Sequence, residues 1–323
     1  MKIVFMGTPE FALPTLEKLV ASEHSVIAVV TQPDRPKGRG QGLTASPIKM
    51  LAQTTGIDVL QPEKAGTGEF IENLRNLAPD LIVVVAYGQI LKKEVLQIPR
   101  WFCMNLHSSL LPKYRGAAPI NRAIIEGAKE TGVTTMKMDS GMDTGDILLV
   151  HKTPITGSDN AQTLHDRLAT AGASLVMETI QRMEDQTLTP VPQDNDKASY
   201  APKLKKEDGL IHWGKDAVSL GNLVRGLEPW PGAFTFFQSK RLRLCAVETT
   251  SGEPGDLPGE IVRIADHGIE VGTGKGRLVI TQLQPEGKKR MSAKSFLAGH
   301  KMLKGNVFDG LPVFPTHTRG TNA

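Results

Sequence analysis

The run Leu81-Ile82-Val83-Val84-Val85-Ala86 constrains this chain more than any other feature. A strand with one wet face alternates apolar and polar side chains. An unbroken, largely β-branched run is instead buried on both faces, as in a parallel sheet covered by helices. Two earlier runs repeat the pattern, KIVFMG at 2–7 and SVIAVV at 25–30, and helix-like segments fall between and after them, PEFALPTLEKLVAS at 9–22 and SPIKMLAQTTG at 46–56. That order reads as βαβαβ. FCMNLH at 102–107 and GVTTMKM at 132–138 continue as strands, residues 119–128 as a helix, and Asn160 to Glu184 as a long amphipathic helix. Residues 1–188 are therefore expected to form one Rossmann-like, doubly wound α/β domain on a mostly parallel sheet.

After Leu188 the pattern changes. Residues 189–206 are polar, contain proline and lack sustained periodicity, which marks a linker. Beyond it come short β-prone runs separated by Gly, Pro and charge (AFTFFQ, RLRLCAVE, GEIVRI, GIEVGT and RLVITQLQ) and a helix candidate, SAKSFLAG. Their spacing predicts a small all-β, OB-like barrel within 207–323. Charge divides at the same place. Residues 1–200 hold 20 Lys+Arg against 22 Asp+Glu, or −2, and residues 201–323 hold 18 against 12, or +6. A basic terminal domain suits a polyanion such as nucleic acid, although a lysine-rich soluble surface gives the same arithmetic.

With 40% hydrophobic and 22% charged residues the chain is neither disordered nor membrane-like in composition. No stretch approaches the roughly 18 apolar residues of a membrane span, and MKIVFMGTPE reaches Gly7 and Pro9 too early for a signal peptide. A cytoplasmic protein without a membrane partner is expected. Cys103 and Cys245 are too few for a disulfide framework or a cysteine-based zinc site.

Two glycine turns imitate phosphate loops. Gly7-Thr8-Pro9-Glu10 follows the first strand but lacks the dinucleotide spacing, and GTGKG at 272–276 has no Ser or Thr after its Lys and reads as a hairpin turn. The informative segment is Asn105 to Gly116. Alternation places Asn105 and His107 on one face at the carboxyl end of a predicted parallel strand, where open α/β sheets bind ligands. A lone His there is more often structural. The Gly-rich cluster from Asp139 to Asp146 adds carboxylates just after another strand, residues that could equally cap turns or bind a cation. Asp143 is well placed to return beside His107.

NLHSSLLPKYRGAAPI together with MDSGMDTGD closely resembles the 10-formyltetrahydrofolate-dependent formyltransferases. MGTPEFA, TQPDRPKGRG, SPIKMLA, VVAYGQIL and PEGKKRMSA extend the resemblance from about residue 2 to residue 300. It implies transfer of a formyl group from 10-formyltetrahydrofolate to an amine through a tetrahedral oxyanion, with no metal. It further implies that Asn105, His107 and Asp143 form the catalytic trio: the first two donate to the oxyanion, and Asp143 orients His107 and helps relay the amine proton. The implied folate pocket has Ser109, Leu110, Leu111 and Pro112 along one edge and Ala86, Tyr87, Gly88, Gln89, Ile90 and Leu91 around the pterin. The loop containing Asp139 closes over it. From the residues alone, Leu110-Leu111-Pro112 could be core packing. The implied acceptor is methionine carried by initiator tRNA. Arg35, Lys37 and Arg39 of the 32–42 loop would enter its acceptor stem, and the barrel with Lys288, Lys289 and Arg290 would hold its phosphates. Solvated charge accounts for these cations equally well on composition. A small amine acceptor, or a binding module with a degenerate α/β domain, are the competing readings. A monomer is expected.

Overall fold

The computed structural model describes residues 1–37 and 42–309. It divides into two compact units, the first made of 1–120, 129–157 and 163–203, the second of 121–128, 158–162 and the chain from 204 onward. Among the described residues no helix is long and apolar enough to cross a membrane.

In chain order the first unit carries strands β1 (Lys2–Gly7), β2 (Ser25–Val30), β3 (Arg35–Lys37), β4 (Gly42–Thr44), β5 (Val59–Leu60), β6 (Leu81–Val85), β7 (Cys103–His107), β8 (Arg115–Gly116), β9 (Glu130–Lys137), β10 (Ile147–Pro154) and β11 (Tyr200–Ala201). Seven of them form one sheet in the order β10-β9-β7-β6-β1-β2-β5. The five from β7 to β5 run parallel, and β9 and β10 complete the edge antiparallel. This is the expected Rossmann-like sheet. Every residue of β6 is buried, which is why its run is unbroken.

Helix signals are local and legible. Helix α1 (Leu13–Val20) has Pro14 in its first turn. Ser46 caps α2 (Pro47–Thr54) by accepting from Lys49 N, and Thr67 caps α3 (Gly68–Leu77) by accepting from Phe70 N. Short α4 (Lys93–Leu96), α5 (Pro119–Ile125) and the long α6 (Ala161–Glu184) follow. Because β2 and β5 lie on one side of β1, and β6 and β7 on the other, the strand order reverses between β1 and β6. Ligands bind outside the carboxyl ends of strands at such a point.

Part of the expected linker runs against the first unit. Val191 pairs with Ile147, and β11 adds to β8 in parallel register.

Beyond residue 204 the second unit carries α7 (Ala217–Gly226), β12 (Ala233–Phe237), β13 (Lys240–Thr250), β14 (Ile261–Ala265), β15 (Gly268–Gly272), β16 (Arg277–Pro285), β17 (Met291–Ser292) and α8 (Ala293–Leu297). Its sheet is antiparallel, in the order β12-β13-β16-β15-β14, with β17 on β16. The tail closes it. Ile261 N donates to Asn306 O and Phe308 N to Gly259 O, while Asp309 N donates to Phe236 O, so residues 306–309 bridge the two edge strands. Trp213 stacks on Phe308 at 5.5 Å, and its Nε1 donates to Thr235 Oγ1 at 3.1 Å, inside a core with Leu220, Ile261, Leu278 and Phe296. GTGKG is the β15–β16 turn. A Cβ on Gly274 would stand 2.0 Å from Gly214 O, so glycine there serves close backbone packing.

Candidate active site

Asn105 and His107 occupy alternate positions of β7 and are both buried. Among the described residues the Asn105 carboxamide makes no hydrogen bond, which leaves its donors for a ligand. His107 is held from two sides. Its Nε2 lies 3.0 Å from Tyr114 O, and since a carbonyl only accepts, Nε2 carries a proton in that bond. Its Nδ1 faces Asp143 Oδ2 at 3.7 Å, an ion-pair separation rather than a hydrogen bond.

Asp143 comes from the loop between β9 and β10 and is itself fixed. Gly116 N donates to its Oδ2 at 2.8 Å, Gln193 Nε2 donates to its carbonyl at 2.9 Å, and its φ of 55° is left-handed. Non-glycine residues hold that conformation only where surroundings impose it. Asp139 stabilises the same loop from within, accepting from Gly141 N and Thr144 Oγ1. The three residues expected to act together are thus converged by β7 and by the β9–β10 loop.

The other expected contacts divide by exposure. Of the loop after β6, Ala86 and Gly88 are exposed with φ of 48° and 91°, and Ile90 is 83% exposed. Tyr87 and Leu91 instead point into the core with Val4, Ile82 and Phe70. Burial pushes the Tyr87 phenol up to about 12. The loop's shape is set by Thr8 Oγ1 and Gln32 Nε2, both donating to Tyr87 O, and by Gln89, whose Oε1 accepts from Ala65 N. The 109–112 segment divides similarly. Ser109 is fully buried and donates to Lys113 O, and Thr134 Oγ1 links Ser109 O to Leu111 N. Leu111 is buried, whereas Leu110 and Pro112 are partly exposed beside it.

Of the expected tRNA-contacting cations, Arg35 is on β3 and pairs with Glu63 at 3.5 Å on an open surface, and Lys37 ends that strand. Arg39 lies outside the described residues. Lys288 and Lys289 are exposed in the turn before β17. Arg290 is already engaged, donating to Gln282 Oε1 at 2.6 Å and to Glu228 Oε1 at 3.3 Å. Tyr114 O, Gly116 N and Gln193, which hold His107 and Asp143, are not marked in the sequence. The first two are backbone atoms, and Gln193 sits where a linker was expected.

A sheet of this order, with Asn105, His107 and Asp143 gathered at its carboxyl edge, has the architecture of a formyl-transferring enzyme. The chain matches the formyl transferase family over residues 1–180 and the formyl transferase C-terminal domain over residues 203–301. It belongs to the formyl transferase family. Within it, the chain is similar to the methionyl-tRNA formyltransferase of Citrifermentans bemidjiense, 54% identical over 95% of this chain and 96% of that one. It is likewise similar to that of Acetivibrio thermocellus, 48% identical over 95% and 99%. Among solved structures, the fold resembles the N-formyltransferase from Helicobacter canadensis, described in complex with folinic acid and dTDP-3-aminofucose. The TM-score there is 0.64 at 20% identity, covering 88% of this chain and 99% of that one.

Proposed function

We propose that this chain transfers the formyl group of 10-formyltetrahydrofolate to the α-amino group of methionyl initiator tRNA, acting in the cytoplasm as a monomer. The observation that carries the chemistry is the convergence of His107 and Asp143 beside Asn105 at the carboxyl end of β7. The acceptor is supported by the near full-length similarity to methionyl-tRNA formyltransferases.

The neutral amine attacks the formyl carbon, an oxyanion forms, the bond from carbon to the folate nitrogen breaks, and a proton passes from the amine to that nitrogen. Asn105 donates its free amide to the oxyanion, a preorganised contribution of about 3 kcal/mol. His107 keeps Nε2–H on Tyr114 O, so Nδ1 is the ring atom available to exchange a proton with the reacting nitrogens, and Asp143 orients it. The same Nδ1 is the atom through which His107 also donates to the oxyanion. Ala86, Gly88, Ile90, Leu110 and Pro112 offer the folate an accessible edge, with Gln89 shaping the loop. Tyr87, Ser109 and Leu111 support that edge from the core, and Asp139 shapes the loop above it. The 32–42 loop, with Arg35, Lys37 and Arg39, meets the acceptor stem, and the second unit, with Lys288, Lys289 and Arg290, holds phosphates.

The deciding experiment supplies labelled 10-formyltetrahydrofolate with methionyl initiator tRNA, methionyl elongator tRNA or a nucleotide-linked amino sugar. Product on the initiator alone is expected. Product on the sugar alone would keep the catalytic trio and replace the acceptor, while no product on any would refute the enzymatic reading.

A further inference from the structure

We infer that Gln193 is a positioning residue for the Asp143–His107 pair, an inference that rests on the catalytic reading above. Its carboxamide is used at both ends. Nε2 donates to Asp143 O at 2.9 Å and to Gly145 O at 2.7 Å, and Oε1 accepts from Arg115 Nε at 3.1 Å and Nη2 at 2.8 Å. Two donors and two lone pairs are therefore all engaged. Arg115 is 2% exposed, and its guanidinium also donates to Asn195 Oδ1 at 2.9 Å. Both partners are neutral amides, so this guanidinium serves here as a rigid fork. By gripping Oε1 it forces the amide nitrogen of Gln193 to face the catalytic loop.

That grip acts where the backbone most needs it. Asp143 is left-handed, and such a residue stays put only when its surroundings over-determine it. Gln193 holds its carbonyl while Gly116 N holds its carboxylate. Six residues further on, the same segment braces the other half of the pair. Ser199 Oγ accepts from Tyr114 N at 2.9 Å and Ser199 O from Arg115 N at 2.8 Å, fixing the turn whose carbonyl receives His107 Nε2–H. Residues 193–199 thus form part of the scaffold that aims the catalytic groups.

The test is a double-mutant cycle on the full chain. Gln193→Glu keeps oxygens for Arg115 to grip but turns a carboxylate toward the carbonyls of Asp143 and Gly145. Gln193→Ala removes both interactions and reports the same cycle should the glutamate destabilise the loop. Gln193→Glu is expected to lower kcat about 10²-fold, the cost of a misplaced catalytic group, with KM for the folate donor within about threefold of the parent. Added to Asp143→Asn, either variant should cost no more than about threefold further, because the group it positions is already disabled. A kcat near the parent's in both variants, or a full 10²-fold loss in the Asp143→Asn background, would overturn the proposal and leave the role of Asp143 standing. Parental kcat in Asp143→Asn alone would overturn the catalytic reading, and the proposal with it.

Discussion

Gly145→Ala tests the site's geometry with one methyl group. A Cβ built at Gly145 stands 1.7 Å from Lys137 O and 3.3 Å from Asp139 N, and real Cβ atoms essentially never come under 3.0 Å, so something must move by about 1.3 Å. Both obstacles are backbone, so no rotamer change relieves the clash. Lys137 closes β9 and pairs with Met104 of β7 within the sheet, whereas residues 139–142 of the loop are exposed and no residue of 139–146 belongs to a strand. The loop should therefore yield, carrying Asp143, two residues away, off its 3.7 Å approach to His107 Nδ1. Misplacing a catalytic group by about 1 Å costs about 10²-fold in rate, or roughly 2.7 kcal/mol of barrier. Single-turnover transfer of labelled formyl to methionyl initiator tRNA isolates that step, with thermal unfolding measured in parallel. Gly157→Ala is the control, since its added Cβ meets nothing within 4 Å. A Gly145→Ala protein that turns over within about threefold of the parent would show that the loop's position does not set the rate, and the argument from Asp143 would fail.

Three further outcomes follow from burial and charge. Burial pushes the Cys103 thiol up to about 12 and raises that of Cys245, so neither should react with a thiol reagent at pH 8 until the protein unfolds; prompt native labelling would contradict their packing. The Tyr87 hydroxyl finds no protein partner among the described residues, so Tyr87→Phe should leave stability in urea unchanged or raised by up to about 1 kcal/mol, and a clear loss would reveal a bond to that oxygen. Arg277 hydrogen-bonded to Asp256 holds that carboxyl below its ordinary 3.8, so the folded form is favoured fully above that value and the gain is lost as pH falls through the folded pKa. Asp256→Asn should accordingly lower the midpoint of thermal unfolding at pH 7 and make progressively less difference below pH 4; a pH-independent difference would refute the ion pair as its source.

What could be read in advance, and what could not, separates along a physical line. β6 is legible because a strand buried on both faces requires an unbroken apolar run, and the alternation of Asn105 with His107 on β7 follows from the two-residue period of any strand. Asp143 was legible as a carboxylate in a glycine-rich turn. Helix α7 was legible in principle, with Asp216 as its cap and Ala217, Leu220 and Val224 at helical spacing, but Gly221 and Gly226 obscure the pattern. The resemblance places Tyr87 and Leu91 around the pterin, whereas their packing against Phe70 and Val4 depends on contacts distant in sequence. Tyr114 O, Gly116 N and the 306–309 closure act through backbone atoms that every residue possesses, so side-chain identity carries no trace of them. Gln193 is the sharper case. Its partners lie 48, 50 and 78 residues away, so no local periodicity could mark it, and its polar, proline-flanked setting is what an idle connection would also show. Side chains that meet a substrate must have particular chemistry and leave a motif. Groups that only aim them need merely the right distance, which a sequence acquires through its fold.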